Sequence, residues 1–496
     1  MKSSLHFLSH DKLLSGNQGE LLPIGLVEAL PGDSFQHATS ALIRVQPLLA
    51  PIMHKVTVKI HHWFVPTRLL WDGWEDFITG GPDGDNAAVP PYIAAPASTG
   101  FAIGDLADYL GVPPGFPDIQ VSALPFRAYA LIWNNFYRDE DLQTPLVISK
   151  ASGADTTTSV ALQNCCWEKD YLTSARLEPQ KGSDVALPLT GDAPVLGFGK
   201  ANANFTGGAQ TARESDGTTS NYAASAFINP GNADQTFLVE EGATGFPNVH
   251  ADLSDVTAAT VNELRLATAL QRYKENMMRF GSRYIERLKY FGVPSLDARL
   301  QLPEYLGGGQ QVIQFSEVLQ TAEGSDPVGE MRGHGIAAMR SNRYRRYIPE
   351  HGYILTLMSV KPKTMYPQAV NRMWLRKTKE DWFTPELAHI GQQEVFNSEV
   401  YAGAAADQYD VWGYQDRYDE YRRMESSVSG EFRDTLKFWH MARLFSSAPA
   451  LNADFVKANP RADVYAAPSA DQLYIKVLHK IQAKRKVPKK GNSFIF

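Results

Sequence analysis

The sequence predicts a mainly β protein with long irregular connections, and three observations carry that expectation. Short apolar or alternating stretches are bounded by turn residues, 30 prolines and 38 glycines are scattered along 496 residues, and two segments alone keep a long helical period. Hydrophobic residues make up 44% and charged residues 21%, the balance of a chain that folds around a core. The length allows two or three domains, or one domain carrying very large insertions.

Taken in order, the first clear element is Val56 to Phe64. Val56, Val58, Ile60 and Phe64 fall on one side and Lys55, Thr57, Lys59 and His61 on the other, so a strand with one buried face is expected. Residues 83–115 read as a surface insertion, punctuated by Pro90-Pro91 and Pro113-Pro114. Leu124 to Tyr137 predicts a helix, with Pro125 in its first turn and Phe126, Tyr129, Trp133 and Phe136 on one face. Between residues 188 and 250 the composition shifts to Gly, Ala, Asn, Thr and Ser with almost no period, which predicts an exposed, variable insertion. Val261 to Phe291 predicts a long helix. Leu266, Leu270, Tyr273, Met277, Phe280, Tyr284 and Leu288 form its packing stripe, Thr260 and Glu263 its capping box, and Gly292 and Pro294 its stop. Tyr353 to Val360 is an apolar run suited to a strand buried on both faces. Leu473, Ile475, Val477 and Ile481 alternate with Tyr474, Lys476 and Lys480, so the last ordered element is expected to be a strand ending near Ile481.

Charge is unevenly distributed. The chain carries −6 overall, yet residues 476–496 hold seven basic residues and no acidic ones, so the remainder carries −13. An acidic body with a localised basic end suits a soluble protein that meets a polyanion at one place. Residues 482–496 are expected to form a basic C-terminal tail, with Lys484, Arg485, Lys486, Lys489 and Lys490 as candidates for contacting nucleic acid. A second candidate segment interleaves Arg340, Arg343, Arg345 and Arg346 with Tyr344 and Tyr347. Such a mixture can stack on bases while neutralising phosphates, and it equally suits a subunit interface, where Arg and Tyr are enriched.

Motifs of catalysis are missing. None of the histidines is followed by Glu, so there is no H-E-x-x-H zinc motif. His61 and His62 point to opposite faces of a strand and cannot chelate one ion together. No serine sits in a G-x-S-x-G elbow. Gly333, Gly335 and Ala338 match G-x-G-x-x-A, but no buried strand precedes them to present a dinucleotide. Cys165 and Cys166 adjoin and are expected to be free thiols. The N-terminal residues contain no continuous apolar segment and no run reaches about eighteen apolar residues, so synthesis in a cytoplasm without membrane insertion is expected. No metal or cofactor is expected.

Several strings in collinear order identify a family. Leu8-Ser9-His10-Asp11, Leu30-Pro31-Gly32-Asp33-Ser34-Phe35, Ala50-Pro51-Ile52-Met53-His54 and the run from Trp71 to Gly81 resemble the opening of the major capsid proteins of Microviridae, in particular the gokushovirus-like branch. Leu124-Pro125-Phe126-Arg127-Ala128-Tyr129, Asp170-Tyr171-Leu172-Thr173-Ser174-Ala175, Asp297-Ala298-Arg299-Leu300-Gln301 and Ile390-Gly391-Gln392-Gln393-Glu394 continue the resemblance. It implies an eight-stranded antiparallel jelly roll with long inter-strand insertions, some containing helices. It further implies a T=1 icosahedral shell of sixty copies around circular single-stranded DNA, and no enzymatic activity. The insertion at 188–250 would form protrusions at the threefold axes and contribute to host attachment. The partners implied are further copies of the chain, the packaged DNA, a small basic DNA-binding virion protein, a scaffolding protein and a host surface receptor. The location implied is the virion, assembled in a host bacterial cytoplasm. A carbohydrate-binding or glycoside-hydrolysing β protein is the rival reading, because the tryptophans and loops suit it and paired carboxylates are defined by separation in space. A dedicated cytoplasmic nucleic-acid-binding protein fits the tail but not the acidic body.

Overall fold

The computed structural model describes residues 3–82, 86–182, 195–196, 210–213, 219–222, 250–251, 261–280, 301–319, 321, 329–403 and 407–489. Two compact units divide the chain, one comprising residues 1–181 and 275–496 and the other residues 182–274. The first is built on two antiparallel sheets. Its main strands are β1 (Ser4–Phe7), β2 (His10–Gly16), β3 (Leu21–Ala29), β4 (Asp33–Val45), β5 (Val56–Pro66), β6 (Glu304–Val312), β7 (Gln314–Leu319), β8 (Met331–Arg340), β9 (Tyr344–Ile348), β10 (Gly352–Pro362) and β11 (Leu473–Arg485). The seven-stranded sheet runs β1-β11-β4-β8-β7, with β2 also on β11 and β9 also on β4. The four-stranded sheet runs β6-β5-β10-β3. The sequence thus scatters each sheet's strands along the chain, and from β2 to β5 consecutive strands alternate between the two sheets.

Alternation in the sequence fixes which faces meet. Val58 and Ile60 of β5, Met358 and Val360 of β10, and Leu22 and Ile24 of β3 pack against Ile43 of β4, Met339 of β8, and Ile475 and Val477 of β11 in one buried cluster. This is the core between the sheets. On the far side of the four-stranded sheet, Trp63, Val65, Leu355 and Leu357 join Phe126, Tyr129, Ile132 and Trp133 of helix α1 (Leu124–Phe136). That second layer explains why Tyr353 to Val360 reads as apolar on both faces. The polar ends of the α1 aromatics are satisfied: the Tyr129 hydroxyl donates to the Leu21 carbonyl at 3.0 Å and Trp133 Nε1 to the Asn164 carbonyl at 2.8 Å. Beneath them Arg127, fully buried, pairs with Asp155 at 2.8 Å and donates to the Leu70 and Ala151 carbonyls, so a buried charge is fully compensated.

Several expectations need amending. The last strand does not end near Ile481 but continues to Arg485, because Gln482, Ala483 and Lys484 go on pairing with Gln36, Phe35 and Ser34 of β4. The segment expected as a surface insertion at 83–115 also has an inward side: Ile93, Phe101 and Leu106 are buried with α1. The long helix, α2, covers Val261–Phe280; residues 281–291 and Thr260 lie outside the described residues. Of its expected stripe Leu266, Leu270 and Tyr273 are exposed; the side chains of Met277, Phe280, Tyr284 and Leu288 lie outside the described residues. Within residues 188–250 the described parts are short paired strands, Gln210–Arg213 with Thr219–Tyr222 and Val195–Leu196 with His250–Ala251.

Candidate nucleic-acid interface

Strand register decides where each candidate cation lies. On β4 the odd residues from Asp33 to Val45 face the core, so its even residues face out. Across from them lie the even residues of β11, with Lys476 opposite Leu42, Lys480 opposite Ala38 and Lys484 opposite Ser34. From the other side β9 brings Arg345 opposite Gln36 and Tyr347 opposite Ser34, and β8 brings Arg340 opposite Ser40. The two basic segments, remote in sequence, therefore meet on the outer face of one sheet. Lys484, Arg340, Arg345 and Tyr347 are all exposed there, and Arg343 is exposed in the turn joining β8 to β9.

Other candidates are diverted to structural tasks. Arg485, on the inward parity of β11, pairs with the buried Asp33 at 2.9 Å, donates to the Glu28 carbonyl and lies over the Phe35 ring. It clamps the strand end and is not a free tail residue. Arg346 pairs with Glu304 of β6 at 2.8 Å. Tyr344 cannot stack on a base, because its ring is buried and its hydroxyl is 3.0 Å from His37 Nδ1. Lys486 and Lys489 are exposed beyond the strand, and Lys490 lies outside the described residues.

Tyr344 borders a buried polar cluster between the sheets. His37 Nε2 is 3.1 Å from His479 Nδ1, and Thr39 Oγ1 touches both. His479 Nε2 reaches the Ile24 carbonyl of the opposite sheet at 2.9 Å. His62 contacts Thr356 Oγ1 and Ser341 Oγ. Burial, followed by the neighbouring imidazoles, pulls His37 down to about 2 and His62 to about 3, while burial takes His479 to about 4. All three are uncharged at neutral pH; His479 bonds across to Ile24 and His62 to Ser341 after β8, whereas His37 bonds within its own sheet to Tyr344, Thr39 and His479. His61, on the other face of β5, contacts the Tyr137 hydroxyl at 2.7 Å.

A small cavity is lined by Tyr171, Tyr366, Arg372, Glu399 and Glu425. Burial raises Glu399 above the usual carboxylate range, but Arg372 pairs with one of its oxygens at 2.8 Å and the Tyr171 hydroxyl donates to the other at 2.9 Å. Both oxygens of Glu399 are engaged, so this carboxyl is not poised as a free acid for glycoside chemistry. Gly333 and Gly335 lie inside strand β8, where no helix N-terminus exists to hold a phosphate. Cys165 and Cys166 are free thiols, and burial pushes Cys165 up to about 11.

Sequence reasoning placed Tyr474, Lys476 and Lys480 on the polar side of a strand without naming them as a site, and did not single out Arg44. The signal was present in the period of two along β11, which strand pairing turns into one exposed face.

Residues 1–495 match the family described as "Capsid protein (F protein)". The chain belongs to this capsid protein family. It is 35% identical over 457 residues to the capsid protein VP1 of Bdellovibrio phage phiMH2K, covering 89% of this chain and 85% of that one. Similar relations hold to capsid protein VP1 of Chlamydia phage 1, 31% identical over 92% of this chain and 89% of the relative, and to capsid protein VP1 of Spiroplasma virus 4, 32% identical over 92% and 87%. The resemblance to Microviridae capsid proteins therefore extends across the whole chain. The family is structural, not enzymatic.

Proposed function

We propose that this capsid protein is the major shell protein of a small phage, assembling as sixty copies in a T=1 icosahedron around circular single-stranded DNA. The observation that carries the reading is the match of residues 1–495 to the capsid protein family, together with the similarity to VP1 capsid proteins over 89% of the chain. The strand order supports an eight-stranded jelly roll as its building block. The orders β2-β11-β4-β8 in one sheet and β3-β10-β5-β6 in the other support this reading, since two Greek keys folded over one another would give such orders. Such a wedge tolerates long insertions between strands, here the stretches between β5 and β6 and between β10 and β11. Exposed loops, including residues 188–250, contribute to host attachment, and the tail from Lys486 onward faces the genome beside a small basic virion protein. A scaffolding protein guides assembly in the bacterial cytoplasm.

Expression of the full chain followed by electron microscopy and nuclease digestion tests this. Closed isometric particles that protect single-stranded DNA are the expected result. Soluble monomers under all assembly conditions, or filaments, would overturn it.

A further inference from the structure

The outer face of the seven-stranded sheet has a composition that packing does not explain. Lys476, Lys480 and Lys484 recur at every fourth residue of β11, about 13 Å apart at strand rise. Arg44 lies opposite Tyr474, and Arg340 and Arg345 extend the charge across β8 and β9. None of these six cations makes an ion pair among the described residues. By register, Asp11 opposite Leu478 is the one carboxylate on this face among the described strand residues. Three Phe and Tyr rings stand on this face by register, Phe7 at 70%, Tyr474 at 46% and Tyr347 at 61% exposure. Between the two tyrosines a shallow depression is lined by Ser40, Leu42, Ala338, Arg340, Lys476 and Leu478.

A cationic strip on a body of net negative charge calls for a polyanion by charge complementarity. Exposed aromatics on a rigid sheet favour a single strand over a duplex, because only unpaired bases offer free faces for stacking. We propose that this face is a sequence-independent track for single-stranded DNA, with Arg44, Lys476 and Lys480 on phosphates and bases stacked on Tyr474 and Tyr347. The proposal rests on the reading of the chain as a single-stranded DNA capsid protein, and it moves the main contact from the C-terminal tail to the sheet.

The test measures binding of a short fluorescein-labelled oligo-dT to the full-length chain by anisotropy over a range of KCl concentrations. The triple variant Arg44→Gln/Lys476→Gln/Lys480→Gln is expected to bind more weakly, with a log–log salt slope flatter by about 2, at roughly 0.7 per phosphate. Tyr474→Ala should lose roughly tenfold in affinity at an unchanged slope, while Lys486→Gln/Lys489→Gln should lose less than the triple variant. Urea unfolding reports whether each variant folds, and Lys476→Arg/Lys480→Arg should restore the slope if one does not. A triple variant with the parent's affinity and slope overturns the track. So does impaired particle assembly with unchanged oligo-dT binding, which would make the face a seat for a neighbouring copy. Equal affinity for duplex would overturn the stacking role. A parent chain that forms particles yet binds no oligo-dT would sink the DNA part of the proposed function as well.

Discussion

Buried histidines hold the two sheets in register at one point, and they do so only while neutral. His37, His62 and His479 are faced by the Tyr344 hydroxyl, by His10 stacked on His479 at 4.9 Å, and by one another; Lys12 and His61 are the nearby groups that further oppose their protonation. In the unfolded chain an imidazole takes up its proton near pH 6.5, whereas burial delays this to about 2, 3 and 4 in the fold. The unfolded state therefore binds more protons as pH falls below 6.5. Stability present above that value is lost as pH falls toward the folded values, by about 1.4 kcal/mol per pH unit for each histidine. Between pH 6.5 and pH 5 each should withdraw about 2 kcal/mol. Urea unfolding at the two pH values checks this, and His479→Gln should reduce the slope by about a third. Stability that does not change over this interval would mean that the imidazoles are hydrated and not buried.

At the scale of elements, β8 shows how a motif can mislead. Its glycines match a dinucleotide fingerprint in spacing, but the strand needs them for close approach. A Cβ on Gly333 would stand 2.4 Å from the Ala50 carbonyl oxygen, and one on Gly335 would stand 2.8 Å from the Phe315 and Val45 side chains. At Gly333 the obstacle is backbone, joined to β8 by the Leu48 amide donating to the Gly333 carbonyl at 2.9 Å, so relief requires the strand to move. Gly333→Ala should cost about 1–3 kcal/mol, the usual range for overpacking, read as a lower thermal midpoint. An unchanged midpoint would show that the segment around Ala50 shifts freely. The same element-scale logic explains the end of β11. Continued pairing with β4 and the Arg485–Asp33 clamp carry the strand past the point where the apolar alternation of the sequence fades.

For the whole molecule, the sandwich of two sheets and its helical layer account for the two largest buried clusters within residues 1–181 and 275–496, while Tyr171, Tyr366, Val395, Trp412 and Phe455 build another outside the sandwich. Residues 182–274 form a separate compact unit. Replacing residues 188–250 by a short Gly-Ser linker is therefore expected to leave the sandwich folded and particles able to close, with host attachment reduced. Far-ultraviolet circular dichroism, electron microscopy and an adsorption assay read the three outcomes. Loss of folding or of particles would show that the segment supports the shell itself.

The sequence alone determined what depends on near neighbours. The alternation at Val56 to Phe64 and Leu473 to Ile481, the apolar run of β10 and the aromatic face of α1 each follow from side-chain periodicity along one segment, and the collinear strings were enough to name the family. Only tertiary structure decided what depends on pairing between distant segments. Whether Arg345 faces solvent while Arg346 turns to Glu304, and why Tyr344 joins a histidine cluster, follow from the parity of β9 against β4. The long helix shows the limit from the other direction, because a helical stripe reveals a shared face but not whether anything covers it, and Leu266 and Leu270 remain exposed in this chain. Lys476, Lys480 and Arg44 became a single surface for the same physical reason: a strand's period of two is local, but which strands lie beside it is set by contacts hundreds of residues away.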